Sequence, residues 1–194
     1  AATPTPPVPT ATVLPTPIPQ PCSAAPALCR PPSVGGKSSV QLVDSPFNDK
    51  DRLQWKWSKG TATTRAELGD PLATDEYALC LYEGLTLRAT MLVPPGGTCN
   101  GKPCWRSTAK GYDYKNGDAL PDGITRLSLR AGAEGKASIL AKGRGTPLPM
   151  PALGSLTGAI RVQLRNRASG LCWDAVFAPP FQKHTAEQLK DRDD

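Results

Sequence analysis

The chain of 194 residues contains a single histidine, His184, set among charged residues near the C-terminus. That scarcity argues against Ser-His-Asp and Cys-His catalysis, since both need an imidazole to take the nucleophile's proton. The sequence has no Cys-x-x-Cys pair, so its six cysteines lack the ligand spacing of a structural zinc site. No apolar run approaches the ~20 residues a helix needs to cross a bilayer, so membrane insertion is not expected. No Asn-x-Ser/Thr sequon occurs. Gly143-Arg144-Gly145 lacks the helix and the Lys-Ser/Thr that complete a phosphate-binding loop. Asp and Glu are missing from the first 32 positions, which hold eleven of the 22 prolines and one basic residue, Arg30.

Proline fixes φ and removes a backbone donor, so residues 1–36 are expected to form an extended arm without helix or central strand. In the polyproline II conformation, at ~3.1 Å per residue, twenty residues reach roughly 60 Å. Thr3, Thr5, Thr10, Thr12 and Thr16 resemble mucin-like O-glycosylation sites. Val8, Val13, Leu14 and Ile18 are apolar side chains that a plain spacer does not need, and they are read as residues that dock on a neighbouring copy. Ala1-Ala2-Thr3 reads as a mature end left by cleavage at a small-residue site.

Six cysteines without metal spacing predict three disulfides and an oxidising compartment, hence a secreted, cell-surface protein. Fifteen pairings of six cysteines exist. The preferred set is Cys22–Cys29, Cys99–Cys104 and Cys80–Cys172: two short staples and one long bridge between strands.

Hydrophobic content of 39% and charged content of 21% predict a globular body, placed at residues 37–182. It reads as short strands between Gly/Pro turns. Val40–Val43 is apolar. Arg52–Trp57 puts Leu53, Trp55 and Trp57 on one face and Arg52, Gln54 and Lys56 on the other. A turn at Lys59-Gly60 and a strand over Thr61–Leu68 are expected next. Tyr77–Tyr82, Leu85–Val93, Cys104–Arg106, Tyr112–Tyr114, Ile124–Arg130, Ala137–Ala141, Ile160–Leu164 and Cys172–Phe177 complete the set. The alternation slips by one near Ile124, the mark of a bulge. Residues 183–194 read as a charged tail in which Thr185–Lys190 forms a helical turn. About ten strands and no long helical pattern give an all-β fold, an antiparallel β-sandwich, jelly-roll-like or immunoglobulin-like.

One set of motifs is distinctive: Trp55-Lys56-Trp57, Leu68-Gly69-Asp70-Pro71, Tyr77-x-Leu79-Cys80-Leu81-Tyr82, Cys99-x-Gly101-x-Pro103-Cys104-Trp105, Pro121-Asp122-Gly123-Ile124 and Val162-Gln163-Leu164-x-Asn166 before Cys172-Trp173. With these the body, over about residues 38–178, resembles an uncharacterised domain of exported bacterial proteins. The resemblance implies export and no particular activity. In plan, a β-domain with an extended arm is similar to subunits of extracellular filaments that hand a segment to the next subunit.

Candidate chemistry is sparse. The carboxylate pairs Asp70 with Asp75 and Asp118 with Asp122 sit beside Gly and Pro, where turn formation accounts for them. Asp113, Asn116, Asp118 and Asp122 share one Gly-rich loop with oxygen ligands of the kind Ca²⁺ takes, but turn formation is again preferred and no cofactor is expected. Trp55, Trp57, Trp105, Trp173, Tyr112 and Tyr114 are assigned to the core in preference to a sugar-stacking platform. The net charge of +6 is spread along the sequence, which predicts ordinary wet strand faces and no nucleic-acid or anionic-surface footprint. The sequence therefore reads as a non-catalytic extracellular structural subunit, its partners other copies of itself, assembling by arm docking. The alternative reading is a carbohydrate-binding or adhesive module on a glycosylated stalk.

Overall fold

The structure is a computed structural model that describes residues 20–193. The arm residues Val8, Val13, Leu14 and Ile18 and the threonines Thr3, Thr5, Thr10, Thr12 and Thr16 lie outside the described residues. Fourteen strands follow in order: β1 (Ser39–Val43), β2 (Arg52–Gly60), β3 (Tyr77–Glu83), β4 (Thr86–Val93), β5 (Thr98–Cys99), β6 (Lys102–Pro103), β7 (Trp105–Thr108), β8 (Gly111–Lys115), β9 (Ile124–Arg130), β10 (Ala137–Arg144), β11 (Ile160–Asn166), β12 (Cys172–Phe177), β13 (Lys183–His184) and β14 (Gln188–Arg192). They form an eight-stranded sheet ordered β13-β14-β1-β2-β10-β9-β8-β7, a four-stranded sheet ordered β12-β11-β3-β4, and the β5-β6 hairpin. Every strand pair is antiparallel, so the fold is an all-β sandwich.

The alternation seen in the sequence sets which side chains face the core. Leu53, Trp55 and Trp57 of β2 meet Leu79, Leu81, Val162 and Leu164 of the smaller sheet in one cluster. All four tryptophans are buried, with Trp55 at 0% exposure and Trp57 at 1%, so the assignment of the aromatics to the core is correct. Trp105 packs at a tilt against Tyr114, at a centroid distance of 5.1 Å, and against Tyr77, at 6.0 Å. The slip near Ile124 is a bulge: Lys142 faces Arg126, but the next residue, Gly143, faces Ile124.

Several expectations are corrected. The strand expected over Thr61–Leu68 is a loop, tied by one bridge from Thr63 to Gly132 and ending in a 3-10 turn at Ala66–Leu68. The chain does not turn at Lys59-Gly60 either. Lys59, at φ 52°, forms a bulge, and β2 runs on through Gly60. A Cβ at Gly60 would stand 1.9 Å from the Trp57 indole, so the ring lies where a side chain would have been.

The charged tail is no helical turn and no appendage. Its residues 188–192 form β14, which pairs along all of β1 from Ser39↔Arg192 to Val43↔Gln188 and buries Leu189. Asp193 then accepts a hydrogen bond from the Ser38 backbone at 2.7 Å. The body therefore extends past residue 182.

Two of the three expected disulfides are also corrected. The bonds are Cys22–Cys80, Cys29–Cys172 and Cys99–Cys104. Cys22 and Cys29 do not staple each other, because residues 22–29 run across the outer face of the four-stranded sheet and each finds a different strand, after which Arg30 bridges the β12 edge at Trp173 and Pro32 reaches Gly60 of β2. The Gln163 side chain donates to the Ala27 carbonyl at 2.7 Å and accepts from the Ala27 amide at 3.2 Å, imitating a ladder partner. Arg30 accepts from the Asp174 amide and donates its own amide to Cys172, each at 3.0 Å. This cover explains why β3 is apolar on both faces: Tyr77, Leu79 and Leu81 meet the other sheet, while Ala78, Cys80 and Tyr82 meet Cys22 and its neighbours.

Candidate anion-binding face

With one outer face of the sandwich crossed by residues 22–29, the other is the solvent side of the eight-stranded sheet. Residues directly opposite on neighbouring strands point to the same side, so the pairing register reads out this surface. One row crosses seven strands: Lys183, Lys190, Gln41, Gln54, Lys142, Arg126, Lys115. The next row runs Arg192, Ser39, Lys56, Leu140, Ser128, Asp113, Arg106. Beyond the first row Arg52 faces Arg144, and beyond the second Arg130 follows Ser128 along β9. Eleven of the 23 cations therefore occupy this one face, against one of the 17 carboxylates. The remainder of the chain holds more carboxylates than cations.

The one carboxylate is committed. Asp113 accepts from Arg130 at 2.7 Å and from the Ser128 hydroxyl at 2.7 Å. Burial pushes its carboxyl up, but Ser128 and Arg130 outweigh burial and hold it below the ordinary range. Arg106 approaches it at 4.0 Å. The other nine cations make no ion pair among the described residues. Two clefts open on the same surface. One, of about 470 Å³, lies between Gln41, Arg52, Gln54, Lys142 and Arg144. The other, of about 520 Å³, lies against the β5-β6 hairpin and is lined by Lys102, Arg106, Asp113, Lys115, Pro103 and the Cys99–Cys104 disulfide. Repulsion among unpaired cations on a flat sheet is relieved by bound anions, and such a surface attracts polyanions over a Debye length of about 10 Å at 0.1 M salt.

The sequence reading of scattered charge missed this face. The cations are scattered along the chain, but alternation sends each to the same side and the strand order gathers them. The signal was present in Arg52/Gln54/Lys56, Arg126/Ser128/Arg130 and Lys142/Arg144, whose outward positions hold cations and no acids.

The sites weighed in the sequence fall elsewhere. The Asp113–Asp122 loop does not converge its oxygens: Asp113 faces Arg130, Asn116 donates to the Leu120 carbonyl at 2.7 Å, and Asp122 accepts from the Leu92 amide at 2.8 Å. Asp75 accepts from Asn166 at 2.9 Å and from Thr74 at 2.7 Å, while Asp70 caps the Leu72 amide at 3.1 Å. Among the described residues no group of three His, Cys, Asp or Glu side chains is placed to hold a metal ion. No helix among them is long and apolar enough to cross a membrane. No protein-family model, curated protein or solved structure matches this chain.

Proposed function

We propose that this protein is a non-catalytic module of an oxidising, extracellular compartment that adheres to polyanionic material through the outer face of its eight-stranded sheet. The observation that carries this reading is the set of nine unpaired cations on that face. Three disulfides fit the compartment. Anion contact releases condensed counterions, so binding weakens steeply as salt rises. The test is retention on a sulfated-polymer column along a salt gradient, for the full chain and for a variant carrying Arg126→Glu, Lys142→Glu and Lys190→Glu. The variant elutes at clearly lower salt. Equal retention of the two proteins rejects the reading.

A second reading is a structural subunit that assembles by docking residues 1–19 on a neighbouring copy. It draws on the point where that segment joins the body: Gln20 is exposed and stands two residues before Cys22, which is bonded to Cys80. The arm has no carboxylate, so the basic face is not its complement, and a docked arm belongs on a neighbour's apolar surface. Light scattering of the full chain beside a chain starting at Gln20 separates the cases. Identical mass distributions reject arm-driven assembly.

A further inference from the structure

We infer that the polymer held on the basic face is an acidic polysaccharide, a chain of carboxylated or sulfated sugars that lies across the strands. This rests on the polyanion reading of the same face and narrows it to one ligand class. Three features of the surface select that class.

The first is the order of groups in the central row. Lys183 and Lys190 stand at one end and Lys142, Arg126 and Lys115 at the other, with the side-chain amides of Gln41 and Gln54 between them. Strands about 4.8 Å apart make this row roughly 29 Å long. Cations answer the acid groups of a polymer, and an amide, being both donor and acceptor, answers uncharged hydroxyls. A polysaccharide presents both along one chain. Ser39 stands beside Lys56 in the adjoining row and adds a hydroxyl.

The second is the missing aromatic platform. Single-stranded nucleic acid is held by stacking its bases on exposed rings. Trp55, Trp57, Trp105, Tyr112 and Tyr114, the aromatics of this sheet, are all buried on its inner side. Base-specific reading of duplex DNA needs an element that enters a groove, and a flat sheet face presents none. An anionic membrane would be gripped by apolar side chains inserted below the headgroups, whereas the apolar residues on this side of the strands are Leu140 and, opposite Arg52, Val43, both half-buried.

The third is the end of the row. Lys115 closes it and also lines the cleft at the β5-β6 hairpin, where Pro103 and the Cys99–Cys104 disulfide give an apolar wall and Lys102 and Arg106 add charge. A sugar ring has an apolar face and charged or hydroxylated edges, and this wall and rim match that division.

The experiment titrates the full chain with polygalacturonate, dextran sulfate, a thymidine homopolymer strand of matched charge, and phosphatidylglycerol vesicles, at three salt concentrations. It is repeated with Gln41→Ala plus Gln54→Ala, checked for unchanged thermal unfolding. The expected result is binding of one or both acidic polysaccharides more tightly than of the nucleic acid strand and the vesicles. The double variant should then lose about tenfold in polysaccharide affinity through its missing hydrogen bonds, with the salt slope and the weaker nucleic-acid binding unchanged. Equal or tighter binding of the nucleic acid or of vesicles overturns the inference, as does a double variant that binds polysaccharide as well as the parent. Failure to bind any of the four overturns the polyanion reading itself.

Discussion

Lys142 of β10 stands directly opposite Arg126 of β9, and neither makes an ion pair among the described residues. Directly opposed like charges destabilise an antiparallel pair. A sheet selected for stability alone would place an acid at one of these positions. Lys142→Glu is therefore expected to raise the midpoint of urea unfolding while it weakens adhesion to sulfated polymer. A variant that is less stable, or that binds as the parent does, contradicts the role given to this pair.

Disulfide mapping gives a direct check on the covalent frame. Proteolysis under non-reducing conditions should release peptides joining Cys22 to Cys80, Cys29 to Cys172 and Cys99 to Cys104. The Cys29–Cys172 bond spans 143 positions. On the chain-entropy account, replacing both residues by serine costs on the order of 4–5 kcal/mol. A peptide joining Cys22 to Cys29 would reject the frame.

Removal of residues 183–194 is expected to unfold the protein and not merely trim it. The cut strips β1 of one ladder partner and takes the fully buried Leu189 from the core. Large core deletions of this kind cost about 2–5 kcal/mol before the lost backbone hydrogen bonds are counted. Circular dichroism of the shortened chain reads this directly, and a native spectrum with an unchanged melting temperature would contradict it.

Glu67 gives the fold a dependence on acid. The Arg30 guanidinium at 2.5 Å, then the Thr64 amide at 2.7 Å, hold its carboxyl at about 2, down from an ordinary value of 4.5. A carboxyl whose pKa is lowered by folding stabilises the folded state fully above the ordinary value. That contribution is lost as pH falls from 4.5 through 2. Unfolding by urea at a series of pH values should show Glu67→Gln less stable than the parent at neutral pH. The gap should shrink toward pH 2, and a gap that stays constant would contradict the assignment.

The strands that bury one face were legible because their period of two is written in residues such as Leu53, Trp55, Trp57 and Leu127, Leu129. β14 was not. In Gln188–Arg192 only Leu189 is apolar; the other buried residue, Asp191, is a carboxylate, so hydropathy shows no period there. Its partner β1 supplies the missing information, and that partner lies about 150 residues earlier in the chain. The disulfides failed for a related reason. Spacing favours the neighbours Cys22 and Cys29, but an extended segment lying over a sheet carries each to a separate strand. The basic face needed the strand order, since Lys190, Lys142 and Lys115 become neighbours in one row only when β14, β10 and β8 are placed in one sheet.

The segment clamped across the four-stranded sheet has a mechanical consequence. Cys22 joins Cys80 in the middle of β3, an interior strand flanked by β11 and β4. A pull exerted through the N-terminal arm is therefore delivered covalently to the centre of a sheet and does not unzip an edge. β3 is held on both sides by ladder hydrogen bonds to β11 and β4, which a strand at the edge is not. A module tethered in this way keeps its shape under drag, and the face it turns away from the tether is the one lined with lysine and arginine.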